Sequence, residues 1–198
     1  MRITKDWIDT LSKGATIADL GCGRLTNKNL FGDLKTIYID GAKFEGIDIT
    51  CDFSKKIPLR SSCLDGLLCS NVLEHLPHPQ MCFDEIFRTL KPGGQSLILV
   101  PFIIKLHQQP YDFHRYTKYA LEKYARDAGF SRIEIREVGG FSNIIGTILK
   151  VAKRNASSPF ESFALQLQSL IFRLHRKIYD DGSPSVEMPQ GYSMFLSK

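Results

Sequence analysis

The sequence lacks a long apolar segment, a recognisable signal peptide and paired cysteines, which are the features of membrane-spanning, secreted and zinc-stabilised proteins. Its longest strongly apolar run, residues 97–104, is interrupted by Pro101 and is far shorter than the roughly 20 apolar residues of a transmembrane helix. The five cysteines form no C-x-x-C pair, which predicts reduced, mostly buried thiols and no structural zinc site. Residues 1–10 lack the apolar segment of a signal peptide, so we expect a cytoplasmic protein.

The composition that remains is typical of one globular domain. The chain has 198 residues, of which 43% are hydrophobic and 24% are charged. This length fits a single domain, and this composition excludes disordered and fibrous classes. The net charge of +5 is only mildly basic, so it gives weak support for a nucleic-acid partner. We therefore expect residues 1–198 to form one domain.

Strand and helix patterns alternate over the first 138 residues. Short apolar segments predict strands at residues 16–20, 36–40, 47–51, 64–70, 95–101 and 132–138. Helical spacing predicts helices at residues 2–12, 26–34, 78–90 and 117–128. Thr117 is the expected N-cap of the last of these helices, and Gly129 follows its end. Strands separated by helices predict a parallel sheet with helices on both faces.

The last 60 residues follow a different pattern. Apolar residues recur at helical spacing over residues 141–152 and 160–178, and residues 192–196 resemble a terminal strand. We interpret this as a helical insertion at about residues 140–188, placed before the last strand. Such apolar stripes are typical of core or lid helices. A local excess of basic residues keeps open an alternative, a weak contact of residues 141–178 with an anionic membrane surface.

A glycine-rich turn follows the first predicted strand. Gly21 and Gly23 would let the backbone approach a ligand closely, at a helix N-terminus that favours an anionic group. The third glycine of a dinucleotide motif is replaced by Thr26, and the chain has no G-K-[ST] motif of a P-loop. Asp40 ends the second strand, where an acidic side chain reaches a ribose diol. This pattern predicts a nucleoside ligand without a pyrophosphate, or else an ordinary tight turn with a solvated aspartate.

Four stretches of the first 100 residues resemble class I S-adenosylmethionine-dependent methyltransferases. They are ADLGCG at residues 18–23, IDITCDFSKKIPL at 47–59, SNVLEHLPHP at 70–79 and LKPGGQSLILV at 90–100. The segment HQQPYDFHRY at residues 107–116 resembles a subgroup often linked to polysaccharide biosynthesis. The resemblance implies S-adenosylmethionine as the cofactor. It also implies an α/β, Rossmann-like fold with a seven-stranded, mostly parallel sheet whose last strand is antiparallel.

The resemblance assigns the methionine and ribose parts of the cofactor to the first two strand ends. Gly21, Cys22 and Gly23 would pass under the methionine part. Asp19 would either anchor the turn or meet the cofactor's amino group. Asp40 would hold the ribose hydroxyls.

The resemblance assigns the remaining parts of the cofactor to the next two strand ends. Asp52 would bind the adenine amino group, with Phe53 beside the ring. Asn71 and Leu73 would close over the sulfonium side. Many relatives have a third glycine two positions after the second, and this sequence has Leu25 there. We therefore expect a bulkier turn.

His75 is the candidate general base after the fourth strand. An imidazole titrates near neutral pH, although a base is needed only when the acceptor must lose a proton. The alternative is a histidine that packs against its loop. Glu74, His75 and His78 also partly resemble the E-x-x-E-H pattern of metal-assisted RNA O-methyltransferases. Asn71 replaces the first acidic ligand of that pattern, so we predict no metal.

Residues 107–116 form a dense polar and aromatic loop after the fifth strand. Aromatic faces beside charged groups suit a ring-shaped or sugar-like acceptor. Asp112 and Arg115 are the other candidate catalytic residues, since Arg115 could clamp a phosphate or carboxylate. Alternatively, this pair braces the helix that follows. The candidate acceptor-binding residues are His107, Tyr111, His114 and Tyr116.

The leading functional hypothesis is methyl transfer from S-adenosylmethionine to a small-molecule or glycan-like acceptor, at oxygen. A non-catalytic S-adenosylmethionine-binding module is one alternative. An RNA methyltransferase is another, with less support, because the basic residues are not interleaved with aromatic residues along one groove. A nucleic-acid partner is therefore not expected.

Overall fold

The computed structural model describes the backbone of residues 2–179 and 188–198. Seven strands form one sheet: β1 Thr16–Leu20, β2 Lys35–Asp40, β3 Ile49–Thr50, β4 Leu64–Ser70, β5 Leu90–Pro101, β6 Arg132–Val138 and β7 Gly191–Ser197. Five α-helices accompany them: α1 Arg2–Ile8, α2 Pro79–Thr89, α3 Lys118–Asp127, α4 Phe141–Arg154 and α5 Pro159–Tyr179.

The strand order is β3-β2-β1-β4-β5-β7-β6, and this confirms the predicted Rossmann-like sheet. The first five strands of this order pair in parallel. The β5-β7-β6 part is antiparallel, as predicted for the last strand. Because the chain order reverses between β1 and β4, the carboxyl ends of these two strands border the crevice where such sheets bind ligands.

Apolar residues of the central strands form a cluster against α1. Ile17 in β1, Leu68 in β4 and Leu97 in β5 have no exposed surface. They form a cluster with Trp7 of α1 and Phe31. Continuous apolar strands of this kind are expected when both faces of a parallel sheet are covered.

Two local predictions were wrong. The helix predicted at residues 26–34 is a single 3₁₀ turn, Lys28–Leu30. Its two asparagines have low helix propensity, and Gly32 at φ +49° leaves the helical region. Strand β5 begins at Leu90 instead of residue 95. The intervening Pro-Gly-Gly is absorbed by a register shift opposite β4, and the amide of Gly93 donates to the carbonyl of Lys198.

The predicted ends of α3 are confirmed. The Thr117 hydroxyl accepts a hydrogen bond from the amide of Ala120 at 3.3 Å, which caps the first turn. Gly129 follows the helix at φ +106°, a conformation that glycine adopts without strain. Because α3 begins directly after Thr117, the residues between β5 and Thr117 form a loop.

The chain divides into two compact units. The first contains residues up to Pro101, Leu106–Arg136 and Ser193–Lys198, and the second contains Phe102–Lys105 and the described part of 137–192. In the second unit α4 packs on α5, where a Cβ at Gly146 would lie 3.6 Å from the Phe172 ring. The two helices occupy the predicted insertion, and a single domain over residues 1–198 stays a prediction. Among the described residues, no helix has both the length and the apolar character needed to cross a bilayer.

Candidate active site

The turn after β1 needs glycine at two positions for different reasons. Gly21 lies at φ +73°, and a Cβ there would be 2.2 Å from Cγ2 of Val72. Gly23 lies at φ +55°, and a Cβ there would meet no described atom within 4 Å. Gly21 is therefore required by packing. Gly23 leaves open space directly above the backbone, where a ligand can approach.

Asp40 at the end of β2 closes this turn. Its Oδ2 accepts a hydrogen bond from the amide of Gly23 at 2.7 Å, and its Oδ1 accepts one from Ala42 at 2.9 Å. Strand β2 pairs directly with β1, so the two strand ends are adjacent. A carboxylate oxygen can accept more than one hydrogen bond, so both oxygens keep capacity for a ligand hydroxyl.

Asp19 in β1 is a buried carboxyl beside the turn. Its exposure is 1%, and neither carboxylate oxygen has a hydrogen-bond partner among the described residues. Burial raises the pKa of Asp19 to about 6, and the charge of Asp40 adds to the rise. The neighbouring Cys22 is a neutral thiol, since burial raises its pKa to about 12.

Leu25 occupies the third-glycine position of the resemblance. It lies at φ +58°, so this position adopts the left-handed conformation although its residue is not glycine. Its Cδ1 would be 2.8 Å from a Cβ placed on Gly46. The turn is thus bulkier, as expected, and a second glycine makes room for the leucine side chain.

The loop after β3 carries the two candidate adenine contacts. Asp52 is exposed, and its Oδ1 accepts a hydrogen bond from the amide of Ser54 at 2.9 Å. This backbone hydrogen bond lowers the pKa of Asp52. Phe53 is buried. The carboxylate of Asp52 is therefore charged and accessible from solvent.

A salt bridge on α2 holds the backbone of residues 57–59, which follow the Asp52 loop in the chain. Arg88 and the largely buried Glu85 pair at 2.6 Å. Glu85 accepts a hydrogen bond from the amide of Ile57 at 2.7 Å. Arg88 donates to the carbonyls of Ile57 and Leu59, each at 2.9 Å. The pair therefore holds the backbone of this loop on both sides.

The residues after β4 adopt an irregular conformation. Asn71 is exposed and lies at φ +54°. Its backbone N–H donates a hydrogen bond to the carbonyl of Leu99 at 2.9 Å. Leu73 is buried, and its carbonyl accepts a hydrogen bond from the Tyr116 hydroxyl at 2.7 Å. Burial raises the pKa of Tyr116. This arrangement favours a structural role for Tyr116, although we predicted that it binds the acceptor.

A polar cluster lies behind this segment. Glu74 has no exposed surface, and both carboxylate oxygens lack a hydrogen-bond partner in the described part of the chain. Its Oε1 is 3.7 Å from Nε2 of His75 and 3.5 Å from Nε2 of His107. Burial raises the pKa of Glu74. Glu74 was considered only as part of a partial E-x-x-E-H pattern, for which we predicted no metal, and its burial was not expected.

The other nitrogen of each ring also has an acceptor nearby. Nδ1 of His75 is 2.7 Å from the carbonyl oxygen of Tyr111, and Nδ1 of His107 is 3.4 Å from Oδ2 of Asp112. Arg115 donates two hydrogen bonds to Asp112, at 2.6 and 2.8 Å. This pairing holds the pKa of Asp112 well below its usual range. Asp112 and Arg115 thus pair within the loop, whereas the alternative to catalysis that we considered was a brace of the helix that follows.

The loop presents its remaining candidates nearer the surface. The Tyr111 side chain is 64% exposed, and His114 is partly exposed with its Nε2 3.4 Å from the carbonyl of Pro77. The amides of Phe113 and His114 both donate to the carbonyl of Glu74. The structure therefore brings His75, His107 and Asp112 together, while Tyr111 and His114 remain available to an external ligand.

Comparison with known proteins gives this fold a family context. Residues 18–98 match the family model described as a methyltransferase domain. The chain also superposes on a SAM-dependent methyltransferase from Archaeoglobus fulgidus with a TM-score of 0.65 and 17% identity, covering 100% of this chain and 94% of that one. Residues 18–98 are thus similar to a methyltransferase domain, and the whole chain shares the fold of a SAM-dependent methyltransferase.

The curated relatives are matched over short segments. Cycloartenol-C-24-methyltransferase 1 of Oryza sativa subsp. japonica is 35% identical over 33% of this chain. The tRNA (carboxymethyluridine(34)-5-O)-methyltransferase alkbh8 of Xenopus tropicalis is 29% identical over 48% of this chain. The matched segments cover only 20% and 17% of the length of those proteins. Their similarity therefore concerns the domain and not the acceptor.

Proposed function

We propose that the chain binds S-adenosylmethionine at the β1–β2 edge and transfers its methyl group to oxygen of a small-molecule or glycan-like acceptor. The observation that carries this proposal is the open space above Gly23, whose amide donates to the carboxyl group of Asp40. The buried carboxyl of Asp19 lies at the end of the preceding strand. A nucleoside carrying a positive charge matches this site. The methyltransferase domain match supports the same ligand.

The residues of the turn fit the cofactor. Asp40 would accept hydrogen bonds from the ribose hydroxyls while it keeps its bond to Gly23. The Asn27 side chain opposes the rise in the pKa of Asp19, so Asp19 would either anchor the turn or meet the cofactor's amino group. A cationic ligand nearby would offset the cost of burying that carboxylate. Gly21 and Cys22 would form the floor under the methionine part.

The remaining cofactor contacts lie along the same edge. The exposed carboxylate of Asp52 would accept from the adenine amino group, and Phe53 would support the ring from its buried position. Asn71, which is exposed directly after β4, would close over the sulfonium side with Leu73 beneath it. Each role stays a proposal for these positions.

The chemistry needs little beyond placement of the two reactants. S-adenosylmethionine supplies an activated methyl group, so holding a nucleophile in line with it provides most of the acceleration. Tyr111 and His114 would contact a ring-shaped acceptor, and the Asp112–Arg115 brace would hold their loop in position. The role of His75 as general base stays a prediction. Its Nε2 faces Glu74 and is shielded from solvent, so an acceptor would have to reach it from within the loop.

The test is a transfer assay with isotope-labelled S-adenosylmethionine and three acceptor pools: small metabolites, glycans and tRNA. We expect S-adenosylhomocysteine to form and label to enter one of the first two pools. Label in tRNA would replace the proposal by the RNA alternative. Cofactor binding in calorimetry without turnover on any pool would support the non-catalytic module. Absence of cofactor binding would reject all three.

A membrane-associated acceptor has independent support in the second unit. Phe160, Phe163 and Leu167 recur at helical spacing on α5 and are 81%, 65% and 50% exposed. The C-terminal end of α4 carries the exposed cations Lys153 and Arg154. An apolar stripe accompanied by cations is typical of helices that lie on an anionic bilayer surface.

Sedimentation with vesicles tests this contact. The protein should sediment with phosphatidylserine-containing vesicles, less so in high salt, and the double variant F160S/F163S should lose the association. M81S, which removes an exposed methionine from α2, is the matched control. Equal sedimentation of the double variant and the wild-type protein would contradict the contact, as would absence of sedimentation at low salt.

A further inference from the structure

Three potential metal ligands converge beneath the 107–116 loop. Nε2 of His75 and Nε2 of His107 lie 3.7 and 3.5 Å from Oε1 of Glu74, and all three donor atoms lie within 4.8 Å of one another. Two donors bound to one ion at about 2.1 Å, with a near-tetrahedral angle, are separated by about 3.4 to 3.6 Å. The spacing of the cluster therefore matches a shared ion without a large movement.

The second nitrogen of His75 has a hydrogen-bond acceptor, and the second nitrogen of His107 lies near a carboxylate without a hydrogen bond to it. Nδ1 of His75 faces the carbonyl oxygen of Tyr111 at 2.7 Å, and Nδ1 of His107 faces Asp112 at 3.4 Å. Metal-binding histidines characteristically donate their other N–H to a carbonyl or carboxylate, which fixes the tautomer and directs the free lone pair at the metal. Asp112 is itself held by the guanidinium of Arg115. A proton on Nδ1 of His75 leaves its Nε2 lone pair facing Glu74, and Nε2 of His107 lies 3.5 Å from the same carboxylate.

The carboxylate at the centre faces two imidazoles at 3.5 and 3.7 Å but accepts no hydrogen bond from them. Glu74 is completely buried, and among the described residues no group donates a hydrogen bond to either oxygen. A buried carboxylate without a hydrogen-bond donor is unfavourable, and a bound cation would satisfy it. The side chains of His75 and His107 are 14% and 24% exposed, so the cluster lies just below the surface where an ion can enter.

We propose that Glu74, His75 and His107 bind a first-row transition-metal dication of the Zn²⁺ class, with at least one coordination position open. Two imidazoles and one carboxylate form a donor set that suits such ions, whereas Mg²⁺ and Ca²⁺ prefer sites built from oxygen ligands. The site differs from the metal-free prediction because His107, distant in sequence, replaces the acidic ligand missing at Asn71. It also excludes the general-base role of His75, since both roles use the same Nε2 lone pair.

The test is titration of the chelator-treated full chain with Co²⁺, followed by its visible ligand-field absorption, and then by displacement with Zn²⁺. We expect one Co²⁺ per chain, bands characteristic of nitrogen and oxygen donors, and bleaching by Zn²⁺. H75A and H107A should each weaken Co²⁺ binding by at least about 100-fold, and D112N by roughly 10-fold or more. H78A, which removes an exposed histidine three residues from the cluster, is the matched control and should bind like the wild type.

Thermal unfolding separates loss of the site from loss of the fold. Zn²⁺ should raise the melting temperature of the wild type and of H78A but leave folded H107A unchanged, because an ion stabilises only the state that binds it. If H107A does not fold, E74Q, which keeps the shape of the carboxylate, serves the same comparison. Absence of Co²⁺ bands in the wild type would overturn the proposal, as would bands that persist in folded H107A or E74Q. None of these readouts depends on methyl transfer.

Discussion

Replacing Asp19 with asparagine should stabilise the ligand-free protein and weaken its binding of S-adenosylmethionine. The carboxyl is buried without a hydrogen-bond partner among the described residues, and its pKa is raised from 3.8 to about 6. A shift of about 2 pKa units corresponds to about 3 kcal/mol of folding free energy. D19N has nearly the same shape and does not ionise.

The stability advantage of D19N over the wild type should increase as the pH rises. Because the folded pKa of Asp19 is raised, its protonated form is favoured in the native state, and that contribution is lost as the pH rises from 3.8 through about 6. The advantage of D19N over the wild type should therefore be about 1.5 kcal/mol at pH 5 and about 3 kcal/mol at pH 7.5. It should disappear below pH 4.

Urea denaturation at several pH values and calorimetric titration with S-adenosylmethionine measure the two effects. Loss of the charge should weaken cofactor binding by about 10-fold or more, since a charge-assisted contact contributes about 1.5–3 kcal/mol. D33N, which alters an exposed aspartate, should change neither quantity. A stability difference that does not vary with pH would refute the titration argument. Unchanged cofactor affinity would refute the role of Asp19 at the ligand.

Three further substitutions test individual contacts. G21A should destabilise the fold by several kcal/mol, because a methyl group at position 21 has no room. G23A should lower stability by about 1–2 kcal/mol in urea denaturation and abolish cofactor binding in calorimetry. R115A should lower stability by about 3–5 kcal/mol at pH 7, because it leaves the buried Asp112 without its partner, and the loss should shrink in acid as that carboxylate is protonated. Y116F should lower stability by about 1–3 kcal/mol with an unchanged KM for the acceptor; a raised KM would instead show that Tyr116 binds it.

The architecture was predictable because its signals are local. Apolar strands, the cap at Thr117 and the glycine at 129 each act within a few residues, so periodicity and capping rules locate them. The helix predicted at residues 26–34 was wrong because its two asparagines and Gly32 disfavour a helix, although Phe31 packs in the core. Strand β5 began earlier than predicted because pairing across the sheet outweighed the Pro-Gly-Gly signal.

The site was predictable only in part. The glycine turn and Asp40 follow from the order of strands, and the structure places them together. The cluster around Glu74 could not be predicted, because it depends on a loop that returns His107 to the segment after β4. The left-handed conformation of Leu25 also gave no signal in the sequence, since leucine rarely adopts it.

The salt bridge between Glu85 and Arg88 has a consequence for the kinetics of ligand capture. By holding the backbone at Ile57 and Leu59 from both sides, it leaves this wall of the crevice rigid before any ligand arrives. If the adenine binds at Asp52 and Phe53 as we propose, little conformational entropy would be lost in the adjoining segment, which favours rapid association. Severing the pair with R88M should therefore slow the on-rate for adenosine-containing ligands, even though neither side chain touches them.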